Sequence, residues 1–141
     1  MSTTYEAIWA FREDLQAMKE SFREEFEAHI SQRLGTPLRR YEGQLSIDDE
    51  GVSLIGKSKD AQEEFSLFVP FKAVLDVYLG WDDVLNRWKD TRALIKPLRI
   101  NFKAQEKKSI YIYGKKAGAK IYGRENKALY EKLTIKAKGN Q

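Results

Sequence analysis

Between Thr3 and Leu34 the chain runs without a glycine or a proline, and apolar side chains recur along it at spacings of three and four. Ile8, Phe11, Leu15, Met18, Phe22, Phe26, Ile30 and Leu34 form that series. On a helical wheel they stay within about half the circumference, with Glu6, Glu13, Glu20, Glu24 and Glu27 gathered opposite. Thr3 followed by Glu6 has capping-box spacing, and Gly35-Thr36-Pro37 supplies a stop. The pattern predicts one long amphipathic helix, a helical arm over residues 1–36. At 1.5 Å per residue such a rod is about 45 Å long. A domain of about 100 residues, with a radius of gyration near 13 Å, is only about 33 Å across. An unbent helix would overhang it, which makes Phe22, Phe26, Ile30 and Leu34 the expected self-association stripe. The intervals drift toward repeated fours after Phe22, against a regular two-stranded coiled coil.

After Pro37 the period changes to two. Tyr41–Ile47 reads as a strand with Leu45 and Ile47 on one face, Asp48 to Gly51 as a turn, and Val52–Ile55 as the hairpin partner. Phe65–Val69 and, beyond Pro70, Val74–Leu79 follow as further strands. A charged segment with two tryptophans, Trp81 to Arg92, leads to strands at Leu98–Phe102 and Ser109–Tyr113, with a short third piece at Lys120–Tyr122. Glu125 to Ala137 carries Leu129, Tyr130, Leu133 and Ala137 on one helical face. Four strands, a long loop, three strands and a helix imply an α+β unit over residues 37–141, an antiparallel sheet system closed by the last helix.

That order resembles the pleckstrin-homology-like superfamily, with its GRAM and bacterial relatives, over about residues 40–138. The stretches that carry the likeness are Gly43–Ile47 with Gly51–Gly56, and Phe68–Val77. The resemblance implies a barrel of two packed antiparallel sheets, four strands plus three, capped by the C-terminal helix. It also implies binding of phosphoinositides, peptides or proteins, without catalysis. Lipid-binding members place basic residues between the first two strands. Here that loop is Asp48-Asp49-Glu50, which would repel a phosphorylated headgroup.

The residue inventory argues against an enzyme. The chain has no cysteine and one histidine, His29, so no nucleophile–base–orienter set can be drawn from those residues. Asp48-Asp49-Glu50 and Asp82-Asp83 lack the spaced oxygens of a calcium loop, and Gly114–Lys120 matches no phosphate-cradling motif. No metal or cofactor is expected.

Charge is spread unevenly. Residues 99–141 hold 12 basic and 3 acidic side chains, whereas residues 1–34 hold 4 and 7. Lys107, Lys108, Lys115, Lys116 and Lys120 flank two turns and are the candidate anion or lipid contacts, although those turns belong to opposite ends of one hairpin. Tyr111 and Tyr113 share a strand face, where they either stack bases or wall the core. Trp81, Trp88 and Arg92 form a candidate partner loop, since tryptophan and arginine are enriched at binding hot spots. The opening Met1–Glu6 has no basic or apolar leader pattern and no stretch is a membrane span, which makes the cytoplasm the expected location. The expected function is a non-catalytic module acting through protein–protein interaction, including homo-oligomers built on the helix. Anionic-membrane contact through the basic third is the alternative, and nucleic-acid binding comes after it.

Overall fold

Thr3–Phe11 is a β-strand, β1, and not the first turns of a helix. The computed structural model describes residues 3–20, 39–59, 62–85 and 95–139. Its strands are β1, β2 (Tyr41–Ile47), β3 (Gly51–Ser58), β4 (Glu64–Pro70), β5 (Val74–Leu79), β6 (Leu98–Lys103) and β7 (Lys107–Lys115). A 3-10 turn, Phe71–Ala73, joins β4 to β5. Helix α1 spans Arg12–Glu20 and helix α2 spans Asn126–Gly139.

The strands form one antiparallel sheet of order β4-β3-β2-β1-β7-β6-β5, curled into a half-barrel. This corrects the expected fold class twice over. There is one seven-stranded sheet in place of packed sheets of four and three, and no long N-terminal helix precedes it. The seventh strand comes from residues 3–11 and not from Lys120–Tyr122, which hold no strand. Of the expected arm over residues 1–36, residues 3–11 are therefore not set apart from the sheet, because β1 is its middle strand, paired with β2 on one side and β7 on the other, and residues 21–36 lie outside the described residues.

The reason is burial on both faces. Tyr5, Ala7 and Trp9 point into the main core, while Ile8 and Ala10 point into a second one. A strand covered on both sides reads as an unbroken apolar run, which periodicity alone cannot tell from a buried helix. Thr3 and Glu6 make no capping box: Glu6 lies opposite Lys115 and pairs with it at 3.0 Å. The helix starts later, at Arg12, where the Asp14 carboxylate accepts the Phe11 amide at 3.0 Å and Glu13 joins it in the acidic first turn.

The main core fills the curl of the sheet. Leu45, Ile47, Leu54, Val69, Leu98, Ile100, Ile110 and Ile112 meet Leu129, Leu133 and Ala137 of α2 there. Asn126 fastens the start of that helix: its Oδ1 accepts the Gly114 amide at 2.9 Å, and its Nδ2 donates to the Lys96 and Ile112 carbonyls. On the other face Leu15 and Met18 of α1, with Val84 and Leu85, cover Ile8, Ala10, Tyr111 and Tyr113.

Candidate functional site

A sheet that does not close has two edges, and here they are β4 and β5. Strand β4 pairs with β3 without interruption from Gly51 opposite Pro70 to Lys57 opposite Glu64. Two bonds bracket it: the Ser58 amide donates to the Glu63 carbonyl at 2.8 Å, and the Phe71 amide to the Glu50 carbonyl at 2.9 Å. Bonded and non-bonded pairs alternate along an antiparallel ladder. With Glu63 and Phe71 bonded toward β3, so are Phe65, Leu67 and Val69. The backbone groups of Glu64, Ser66 and Phe68 then face away from the sheet, and no strand among the described residues meets them. Pro70 shares their phase, so its missing N–H costs the ladder nothing.

Side chains divide the same way. Phe65, Leu67 and Val69 face the core, and Phe65 sits in an aromatic nest with Trp9 (5.7 Å between centroids), Phe11 (6.0 Å) and Tyr41 (4.3 Å). Glu64, Ser66 and Phe68 lie on the outer face, where Phe68 is 48% exposed and Ile55 of β3 is 62% exposed. Beside Ser66, which lies opposite Ile55, is a cleft of about 330 Å³ lined by Ile55, Gly56, Lys57, Glu64, Phe65 and Ser66. Gly56 lies opposite Gly43, and a Cβ on Gly56 would stand 2.0 Å from the Glu42 carbonyl oxygen. Glycine is required there by the close strand approach.

The β5 edge is different. Its pairing with β6 shifts register between Val74 and Asp76, Asp76 is exposed, and α2 rests against the strand and against the 3-10 turn before it. Bulges, charges and covering helices are the means by which edges avoid unwanted pairing.

A polar cluster ties the second core to the β5 side. Asp82 accepts the Val84 and Leu85 amides at 2.8 and 2.9 Å through one oxygen. Through the other it accepts the Tyr111 hydroxyl at 2.6 Å and Arg99 at 2.9 Å. Arg12 grips Asp83 with both terminal nitrogens and donates to the Tyr111 oxygen at 3.2 Å. Burial alone would raise the Asp82 carboxyl, but the Tyr111 hydroxyl, the two amides and Arg99 hold it below its ordinary range. The Arg12 hydrogen bonds hold Asp83 low as well. Burial, with the bond to Asp82, pushes the Tyr111 hydroxyl up to about 12. A carboxylate already paired and a phenol hard to ionise make a fastening. Neither is poised as a base or nucleophile. Arg12, Glu13, Arg99, Asn101, Lys107 and Ser109 line a second cleft of about 330 Å³ beside it.

The residues singled out in the sequence fall in scattered places. Lys107 and Lys108 begin β7 and Lys115 ends it, some 26 Å away at about 3.3 Å per residue. Lys108 pairs with Glu106, and Lys115 pairs with Glu6, donates to the Ala119 carbonyl and lies over the Tyr122 ring. Lys116 and Lys120 are exposed on the turn that follows. Tyr111 and Tyr113 are under 3% exposed beneath α1, which removes them as stacking platforms for bases. Trp81 is half-buried, its carbonyl accepting the Tyr78 hydroxyl and Lys96 lying over its ring. Trp88 and Arg92, the rest of the partner loop, lie outside the described residues, as do Phe22, Phe26, Ile30, Leu34 and His29. Asp48 caps its own turn by accepting the Glu50 and Gly51 amides, and Asp49 pairs with Lys136. Among the described residues no group of three acidic or histidine side chains is placed to hold a metal ion, and no helix is long and apolar enough to cross a membrane.

The β4 edge was missed by sequence reasoning, although Glu64-Phe-Ser-Leu-Phe-Val carries a signal for it: a large apolar residue, Phe68, on the polar phase of the strand. No protein-family model matches the chain, and the search of curated proteins finds no match.

Proposed function

We propose that this chain is a non-catalytic binding module that acts through protein–protein interaction, holding an added strand of a partner along β4. One observation carries the reading. The outward backbone groups of Glu64, Ser66 and Phe68 run beside the exposed Phe68 and Ile55 in an unbroken register, while the opposite edge shifts register and has α2 against it. Strand addition draws affinity from main-chain hydrogen bonds and specificity from pockets for alternate side chains, and the Ile55–Ser66 cleft is such a pocket. The expected self-association stripe, Phe22 to Leu34, supports no part of it, since the long helix that was to carry it begins as a strand.

Amide hydrogen exchange on dilute protein tests the reading. The Ser66 and Phe68 amides are expected to exchange with little protection, while Phe65, Leu67 and Val69 exchange slowly. Slow exchange at Ser66 and Phe68 in a strict monomer would mean the edge is already filled, and would overturn it.

A further inference from the structure

We propose that the strand added to β4 is β4 of a second copy of this chain, antiparallel about a two-fold axis that passes between the two Leu67 residues. The inference rests on the strand-addition reading above and adds the occupant and its register.

The backbone phase permits it. With Leu67 facing Leu67, Ser66 of one copy pairs with Phe68 of the other, and Glu64 pairs with Pro70. Glu64, Ser66 and Phe68 are the residues whose backbone faces outward, so each amide meets a carbonyl of the second copy, on Pro70, Phe68 and Ser66 respectively. The absent N–H of Pro70 falls at the last rung of the ladder, where its loss is least felt.

The outer face supplies a knob and a hole. In this register Phe68 of the second copy comes to lie beside Ser66, in line with Ile55 on the far side of it. From there its ring is within reach of the cleft of about 330 Å³ between Ser66 and Ile55, which the small Ser66 side chain leaves open. Phe68 is the large apolar side chain that β4 exposes, at 48%. A two-fold axis makes the fit reciprocal: each copy gives a Phe68 and receives one, and a closed pair results, with no open-ended filament.

Charge selects the same arrangement. Exposed Glu63 and Glu64 stand at one end of the strand, and exposed Lys72 just past Pro70 at the other. Antiparallel pairing about Leu67 sets the acidic end of each copy against Lys72 of its mate. A parallel pairing in register would set Glu64 against Glu64, with like charges opposed. Moving the axis to Ser66 keeps the hydrogen-bond phase but brings Phe68 opposite Glu64 and carries Lys72 past the acidic pair.

The chain has no cysteine, so an introduced one reports on a single position. Facing residues in a non-bonded antiparallel pair lie about 4.5 Å apart at Cα, within disulfide reach. Leu67→Cys is expected to oxidise to a dimer in high yield, and Ser66→Cys in low yield because its symmetry mate is the diagonal neighbour. The reverse would place the axis at Ser66 and overturn the register. For the unmodified chain, sedimentation equilibrium from about 1 µM to about 1 mM is expected to show a monomer–dimer equilibrium. Phe68→Ala should weaken it at least tenfold, and Ser66→Pro should abolish it. A dimer indifferent to both would overturn the inference by placing the interface elsewhere. A chain that stays monomeric near 1 mM with fast-exchanging Ser66 and Phe68 amides would remove the second copy and leave strand addition standing. A monomer with those amides protected would remove both. Phe68→Ala lies on the surface, so its readout holds even where Leu67→Cys disturbs folding.

Discussion

Strands β4 and β5 each have one neighbour in the sheet, yet β5 carries a register shift and a helix laid against it, whereas β4 runs seven residues without a register shift and, among the described residues, without such a helix. Edge strands are a hazard because their unpaired amides and carbonyls template the pairing of another chain. A protein that guards one edge so heavily has the means to guard the other. The bare edge also carries the more selective surface, with an exposed phenylalanine beside a cleft that a side chain of that size can enter. Both margins expose large apolar side chains, Phe68 on β4 and Leu75 and Tyr78 on β5, so what sets β4 apart is its unshifted run of outward backbone groups. Breaking the guard and trimming the bare edge should accordingly have opposite signatures.

The largest effect is expected at the guard. Leu133 of α2 is 1% exposed in the main core beneath the sheet. Leu133→Ala removes buried methyl groups and leaves a cavity, which costs about 2 to 5 kcal/mol of unfolding free energy. Urea denaturation should show the midpoint fall accordingly. A loss below about 1 kcal/mol would mean α2 rests lightly on the sheet, and the contrast between the edges would weaken.

A smaller effect is expected in the polar fastening next to β5. Tyr111→Phe deletes a hydrogen bond to the charged Asp82, worth about 1.5 to 3 kcal/mol. The substitution also has a pH signature. A free phenol titrates near pH 10, whereas burial and Asp82 push Tyr111 up to about 12 in the folded chain. A group raised in this way contributes stability that is whole below about pH 10 and drains as pH rises toward about 12. Unfolding free energies of the unmodified chain should therefore fall across that window, and those of Tyr111→Phe should fall less. Asp82 works in the opposite sense. Its lowered carboxyl gives stability that is whole above about pH 4 and is lost as pH drops through the folded value. Equal alkaline slopes for the two proteins would show that Tyr111 is not what titrates.

How much of this was legible follows from which faces are covered. Strands β2 to β7 read well because β2 to β4 keep one face outward and alternate visibly, as Leu45 and Ile47 do against Glu42 and Gln44. Helix α2 read well because Leu129, Leu133 and Ala137 repeat on one side of it. Residues 3–11 did not, because Ala7-Ile-Trp-Ala is buried on both sides and lost its alternation. Ile8 and Phe11 then fell into step with Leu15 and Met18 of the true helix, which prolonged an apparent helical stripe back through a strand. That error also hid the candidate site. The edges of a sheet depend on the order of its strands, and only with β1 inserted between β2 and β7 do β4 and β5 become the two margins. The outward Phe68 was visible in the sequence, but nothing there says that no strand lies beyond it.

The smallest expected effect is also the sharpest for the contrast between edges. Phe68 is half in water, its ring lying over the Gly51 backbone, so Phe68→Ala in dilute protein should change unfolding free energy by no more than about 0.5 kcal/mol. Association that involves the folded state alone makes the melting temperature rise with protein concentration, by mass action. The unmodified chain should show that rise and Phe68→Ala should lose it, while Leu133→Ala keeps the rise from a lower starting point. The two substitutions thus separate along different axes, one in intrinsic stability and one in its dependence on concentration. Were Phe68→Ala instead to cost as much as Leu133→Ala at the lowest concentrations, Phe68 would belong to the monomer's own packing. The bare edge would then be part of the core and could not serve as a surface for another strand.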